Sequence, residues 1–503
     1  MNQITDPRHN PEEALHGIQG ALQRGSQIAL GKSTFSESAS ATSGLTYYDL
    51  EAGAKLIYPV LTPLRNMIPR VSGKGGIQAA WRAVTAINAT GLRFGVSGGN
   101  RGGVAAVSTA DYTATYKGIG VESSVDFEAE YAGRGFDDVR AIAARTGLEA
   151  LMLGEEAILL GGNASAPLGA TPTPTALGSI AGGELAAGTY SVICAALTLD
   201  GLANGSVASG VQGQITRVNA DGSSDTFGGG VAEKSASVSV TIASGTTGSF
   251  TASLASVKGA MGYAWFWGAP GFETLGAITT INSVVVTSAA AGAQLASSLG
   301  PSDNSANVLV FDGLITQAAR QGSGAYLYTM ADGAAGTGTP LTADGSGGIV
   351  EVDVVLKSMW DNYRLSPDTM WVNSQEALNI SKKILSGSAN AAQRFVFESA
   401  QNAIGGGVMV RTYLNRFSMA GGSVVDIKVH PNMPAGSVLF TTRSLPYPMA
   451  NVANVVQVRT RQDYYQIEWP LRSRRYEYGV YADEVLQHYF PPSMAMIVNI
   501  GNG

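Results

Sequence analysis

The residues of this chain whose types could do chemistry are four histidines, one cysteine and a pair of adjacent glutamates. His9, His16, His430 and His488 are scattered, and no two stand at the i, i+4 spacing that would aim two imidazoles at one metal ion. His430 closes an apolar strand just before Pro431 and reads as a structural histidine. Cys194 lies in the apolar run 190–196, where a buried small hydrophobe is expected and not a nucleophile. Glu155 and Glu156 are neighbours on a helix, so their side chains point roughly 100° apart and are poorly placed to share a proton. Gly95–Gly103 and Ser72-Gly-Lys74-Gly-Gly76 are glycine-rich, yet neither carries the pattern that cradles a phosphate at the start of a helix. No catalytic residue, metal ligand or cofactor site follows from these patterns, and the chain reads as a protein that is not an enzyme.

A second group concentrates charge near the C-terminus. Arg459, Arg461, Arg472, Arg474 and Arg475 lie among Tyr464, Tyr465, Trp469, Tyr476 and Tyr478. Arginines beside aromatic rings suit single-stranded nucleic acid. Asp463, Glu468, Glu477, Asp483 and Glu484 interleave with them, so subunit salt bridges or a solvated sheet face explain the cluster better. The net charge of −6 gives no basic footprint over the whole chain, which argues against tight nucleic-acid binding but allows a wall beside nucleic acid.

The elements that must position these residues are uneven in clarity. Phe136–Gly162 is the one long helix signal. Asp137 and Asp138 sit at its start, and Val139, Ala143, Thr146, Ala150, Leu153, Ala157 and Leu160 recur at helical steps. Arg140, Arg145, Glu149, Glu155 and Glu156 fall off that stripe, and Gly147 and Gly154 predict a closely packed neighbour on one face. Before this spine, Gln78–Ile87 and Ala110–Phe127 read as two strands joined by a glycine-rich tip, a projecting hairpin. Pro59, Pro63 and Pro69 make 56–70 extended. Residues 1–45 are polar and weakly patterned, with a short helix expected over Glu12–Gln23. No signal peptide is expected at the N-terminus, and no run reaches the about 18 apolar residues that span a bilayer, so no membrane partner is expected.

After the spine the composition breaks. Residues 168–298 hold three basic residues beyond Pro172, no helix signal, and short strands at Gly188–Ala196, Ser235–Ile242, Gly262–Trp267 and Ile281–Thr287. That spacing predicts a β-sandwich, with Trp265 and Trp267 on one core-facing side. From Asn307 the pattern returns to mixed α/β, with helices near 312–321, 349–362 and 375–385 and a run of strands from 408 onward. At 503 residues, two to four domains are expected, and 45% hydrophobic against 14% charged residues suggests much surface in subunit contacts.

The order of arm, hairpin, spine and returning strands resembles the HK97-type major capsid proteins of tailed bacteriophages. The segment Leu61-Thr-Pro-Leu-Arg-Asn-Met-Ile-Pro-Arg70 looks like the family's link from arm to hairpin, and 308–316 like its post-spine region. Residues 426–434 and 475–481 are similar to its C-terminal strands. The resemblance implies an α+β capsid fold plus an inserted all-β sandwich. Its parts would be an N-terminal arm (1–60), an E-loop hairpin (70–125) and a P-domain spine helix (126–165). An immunoglobulin-like insertion (168–298), an A-domain (305–450) and C-terminal P-domain strands (451–503) would follow. It also implies a homo-oligomer of pentamers and hexamers closing an icosahedral shell around viral DNA. Portal, scaffolding or decoration proteins would be partners, DNA a non-specific neighbour, and the virion capsid, assembled in the host cytoplasm, the location. No crosslinking residues can be placed.

An isolated two-stranded ribbon is marginal in water. The hairpin is therefore expected to lie on a neighbouring subunit, where Trp81, Arg93, Gly98, Gly99 and Arg101 form an assembly interface. Two alternatives remain: an encapsulin-like compartment of the same fold, and a phage tail or adhesion protein in which the sandwich binds host glycans.

Overall fold

A computed structural model describes residues 58–87, 98–99, 106–134, 137–386, 409–419 and 421–501. The expected helix at 12–23, nearly all of the N-terminal arm, and Arg93 and Arg101 in the hairpin tip lie outside the described residues. The chain forms two compact units, one of residues 1–60, 120–151 and 464–481 and one of the remainder.

In the first unit, the helix Val139–Gly161 begins where Asp138 Oδ1 accepts the Ala141 N–H at 3.0 Å, satisfying one of the free donors of the first turn. Val125, Ala143 and Tyr478 are its buried core, with Ala129, Val139 and Ala144 packed against them. Gly147 is buried, and a Cβ there would sit 3.2 Å from Ser123 Oγ, which explains the glycine. The interleaved charges of the C-terminal cluster pair within the chain. Arg140 meets Glu468 at 2.9 Å, Arg474 meets Glu128 at 2.9 Å, and Arg475 meets Asp126 at 2.7 Å.

The helix continues into the second unit, and along its whole length the buried face departs from the expected stripe. The buried positions are Ala143, Gly147, Leu151, Glu155, Glu156, Leu159, Leu160 and Gly161, whereas Thr146, Ala150 and Ala157 are exposed. Both glutamates expected off the apolar stripe are fully buried, because each finds fixed partners inside the protein. Gly154 is exposed, and among the described residues none would meet a Cβ built there within 4 Å, so they do not supply the closely packed neighbour expected at that position. Residues 56–70 are not simply extended either: Pro63–Met67 is one turn of helix opened by Pro63.

The hairpin is present as Gln78–Ile87 paired antiparallel with Val107–Thr115. The expected single strand 110–127 is split. Tyr116, buried and bonded through its N–H to Ile77 O, ends the hairpin, and Lys117–Asp126 belongs to a different sheet.

Residues 168–298 form two sheets over a shared core. One sheet holds Thr175–Ser179, Ser249–Ser253 and Ser283–Val286; the other holds Gly188–Leu197, Val238–Ile242, Gly262–Gly268 and Thr274–Thr279. Trp265 and Trp267 face that core beside Cys194 and Phe250, as their shared side predicts. Ala264 and Phe266 are also buried, against Leu197 and Leu275, so Gly262–Gly268 is covered on both faces. Contrary to expectation, the region contains a helix, Leu199–Asn204, capped by Thr198 Oγ1 accepting the Gly201 N–H. It also holds a hairpin of Gln214–Val218 and Ser224–Gly228.

Past the sandwich, six strands make one mixed sheet in the order Tyr326–Thr329, Ala495–Val498, Val438–Thr441, Thr369–Val372, Ser423–Val429, Thr412–Asn415. Side chains alternate faces along a strand. Met370, Val372, Val438, Phe440 and Ile497 therefore pack on the helix Val350–Tyr363 through Val352, Val355, Leu356 and Met359. Trp371, Leu439 and Met496 turn the other way, toward Leu159, Leu160, Phe311 and Leu314. The end of the spine helix and the short helix Leu314–Ala319 thus cover one face of the sheet.

Candidate functional site: buried carboxylates and the root of the hairpin

Glu156 reaches the one-turn helix Pro63–Met67 from far along the chain. Its Oε1 accepts the Leu64 N–H at 2.8 Å and its Oε2 the Arg65 N–H at 2.7 Å. These are free donors at a helix start, and Thr62 supplies no side-chain cap of its own. His430 completes the set with Nε2 at 2.6 Å from Glu156 Oε1. Because His430 Nδ1 accepts the Asn432 N–H at 3.1 Å, Nε2 carries the proton and donates it to the carboxylate. His430 is fully buried and fully partnered, so the structural reading of this histidine holds.

Glu155 faces a different set. Arg70 donates to Glu155 through Nη1, and Arg65 Nε lies 3.3 Å from Glu155 Oε2. The Arg70 Nη2 group also reaches Glu484 Oε2 and Asp463 Oδ1, each at 2.7 Å. Three carboxylates therefore converge on Arg70, two of them wholly buried. Burial first, and the Glu155 charge second, push the Glu484 carboxyl up to about 8 despite Arg70, so it holds its proton at neutral pH. His488, on the same strand, is pushed down to about 3 by burial alone. A tightly held cluster of this kind fixes the geometry of the segments it joins.

These shifts give a pH prediction with a definite sign. Between about 4.5 and 8 the folded chain keeps a proton on Glu484 that the unfolded chain has released, so this contribution falls as pH rises. Between 6.5 and about 3 the unfolded chain gains a proton that His488 refuses, so that contribution falls as pH drops. The two contributions together are largest between about pH 4.5 and 6.5. Replacing Glu484 with glutamine should flatten the decline between pH 6.5 and 8, read as the urea midpoint against pH; an unchanged decline would show that Glu484 is ionised in the folded chain.

Of the residues expected at the assembly interface, Trp81 is half-buried at the hairpin root. It stacks on Tyr112 at 5.9 Å between ring centres and meets the edge of Tyr489 at 5.7 Å. Gly98 and Gly99 are exposed, a Cβ built at either would meet no described residue within 4 Å, and Gly99 has φ +81°, which glycine adopts without strain. Along the ribbon Val84, Ile87 and Val107 are more than half exposed. Arg82 and Asp111 pair across the strands at 2.6 Å.

No family model matches this sequence, and no curated protein matches it either. Solved structures do. The chain is similar to the capsid of a native GTA particle, at 9% identity over 94% of this chain and 100% of that one, with a TM-score of 0.40. It is similar to the capsid of Myoviridae phage XM1, at 9% identity over 92% and 96%, with a TM-score of 0.38. The SrpI encapsulin of Synechococcus elongatus PCC 7942 aligns at 10% identity over 92% and 93%, also at 0.38.

Among the described residues no group of histidine, cysteine, aspartate or glutamate side chains is arranged to hold a metal ion, and no helix is long and apolar enough to cross a membrane. Cys194 is buried, and burial raises its thiol pKa well above the ordinary value, the opposite of an activated nucleophile. The functional residues that sequence reasoning missed are Arg65, Arg70 and the two spine glutamates. The available signal was an acidic pair on a helix matched by two arginines in a proline-bounded segment.

Proposed function

We propose that this chain is the shell-forming subunit of a tailed-phage capsid of HK97 type, with an immunoglobulin-like insertion at 168–298. The observation that carries the reading is the hairpin. Its two strands pair only with each other and leave Val84, Ile87, Val107 and Tyr112 exposed, a surface too apolar for a free-standing ribbon. A second copy covers it. Under this reading function is geometric: non-identical edges meet head to tail, close into rings of five and six, and the rings tile a shell around DNA. The spine helix, the mixed sheet and the buried carboxylates hold each subunit rigid enough to repeat that contact.

Portal, scaffolding or decoration proteins are the further partners this role implies, with assembly in the host cytoplasm. Sedimentation of the expressed chain tests the reading. Particles of megadalton mass that protect DNA from nuclease support it; megadalton particles without DNA favour an encapsulin-like compartment, and monomers or trimers a tail protein.

The insertion has its own two-layered core, and among the described residues Leu199, Leu202 and Met261 are those of it that join the core shared with Leu159 and Phe311. Expressed alone, residues 168–298 are expected to melt in one cooperative transition followed by circular dichroism. A fragment lacking fixed near-ultraviolet signal would make its core dependent on the rest of the chain.

A further inference from the structure

We infer that Arg459, at the root of the hairpin, is the receptor for a carboxylate of a second copy of this chain. The inference rests on the shell reading and names a contact within it. Among the described residues, the other half-buried arginines, Arg65, Arg70, Arg140 and Arg475, each face a carboxylate. Arg459 is half-buried and faces none. Among the described residues the one hydrogen bond of its side chain runs from Nη1 to Gln487 Oε1 at 3.4 Å, and that oxygen already accepts from Gln457 Nε2 at 3.0 Å.

The surroundings carry the same imbalance. Arg459 Nε, Gln487 Nε2 and Trp81 Nε1 are buried donors without an acceptor. They belong to one contiguous group, since Gln457 Nε2 also reaches the Tyr489 hydroxyl at 3.2 Å and Tyr489 meets the Trp81 ring. Among the described residues every unmet group in this set is an N–H, and no carboxylate pairs with the Arg459 guanidinium. An anionic acceptor is what it lacks.

A carboxylate of another copy fits best among anions. The group is a Trp–Tyr–Arg patch beside the exposed Tyr112, the composition of interface centres. The chain carries 38 acidic against 32 basic residues, so a second copy brings carboxylates in excess. In the isolated subunit the guanidinium is a cost; in the assembly it becomes a hydrogen-bonded ion pair.

The test separates these states. Arg459→Met should leave the melting temperature of the isolated subunit unchanged or higher, while raising the concentration needed for assembly on the order of tenfold or more. Arg459→Lys, assembled from equal parts light and nitrogen-15-labelled chains and treated with a carbodiimide, should give an amide between the new amine and a carboxylate of the other isotope. Assembly of Arg459→Met at wild-type concentration overturns the inference. So does a fall in the isolated subunit's melting temperature, an amide confined to one chain, or a defect that appears only in DNA-dependent assembly, which would assign Arg459 to phosphate. Each of these leaves the shell reading intact as long as the wild type assembles; a wild type that forms no shells defeats both.

Discussion

Replacing Glu156 with alanine is expected to destabilise the subunit by about 3–5 kcal/mol, which makes it the most damaging change available on the spine helix. The side chain is fully buried and accepts three hydrogen bonds, from the Leu64 and Arg65 N–H groups and from His430 Nε2. Its removal leaves those donors without an acceptor, at about 1–3 kcal/mol for each that stays dry, and opens a cavity. It also frees the one-turn helix Pro63–Met67, which has no side-chain cap of its own. Glu156→Gln should cost less, since one oxygen remains to accept, but its amide would point a donor at a donor. His430→Gln should lower stability without abolishing any reaction. Urea unfolding of unassembled subunits measures all three. A loss below about 1 kcal/mol for Glu156→Ala would mean that water reaches the site and replaces the carboxylate.

Deleting residues 95–103 is expected to leave folding intact and to remove assembly altogether. The strands Gln78–Ile87 and Val107–Thr115 contain the hairpin's pairing, so the deletion shortens a ribbon and removes nothing from the subunit's cores. A Cβ built at Gly98 or Gly99 meets no described residue within 4 Å. If the ribbon docks on a neighbour, losing its tip with Arg101 should abolish shells while the melting temperature stays within a degree or two. Hydrogen exchange adds an independent reading: Val84 and Val107 should exchange quickly in free subunits and slowly in shells. Normal assembly of the deletion, or a ribbon already protected in free subunits, would place the hairpin on its own subunit.

Much of the fold was legible because the underlying signals are local. The helix Val350–Tyr363 follows from Val352, Val355, Leu356 and Met359 at helical spacing, and all four are buried. Trp265 and Trp267 alternate as a strand requires and meet in the sandwich core. The misses have long-range causes. Glu155 and Glu156 read as solvent-facing because nothing nearby in sequence partners them; Arg65 and Arg70 do so for Glu155, and the Leu64 and Arg65 N–H groups with His430 do so for Glu156, from 85 to 274 residues away. The break at Tyr116 is likewise invisible in an alternating run, since it depends on which sheet each half joins. Thr175–Ser179 and Ser249–Ser253 were missed because serine, threonine and glycine give little hydrophobic contrast. Trp81 stands at the hairpin root as the strand pattern of 78–87 requires, whereas the unmet donors around Arg459 depend on the positions of Gln457 and Gln487, which no local pattern fixes.

Electron microscopy of the purified chain in negative stain tests the central claim most directly. Closed, uniform shells built from five- and six-membered rings are the predicted result. A homogeneous, folded preparation that shows only single subunits or trimers at every concentration would contradict it.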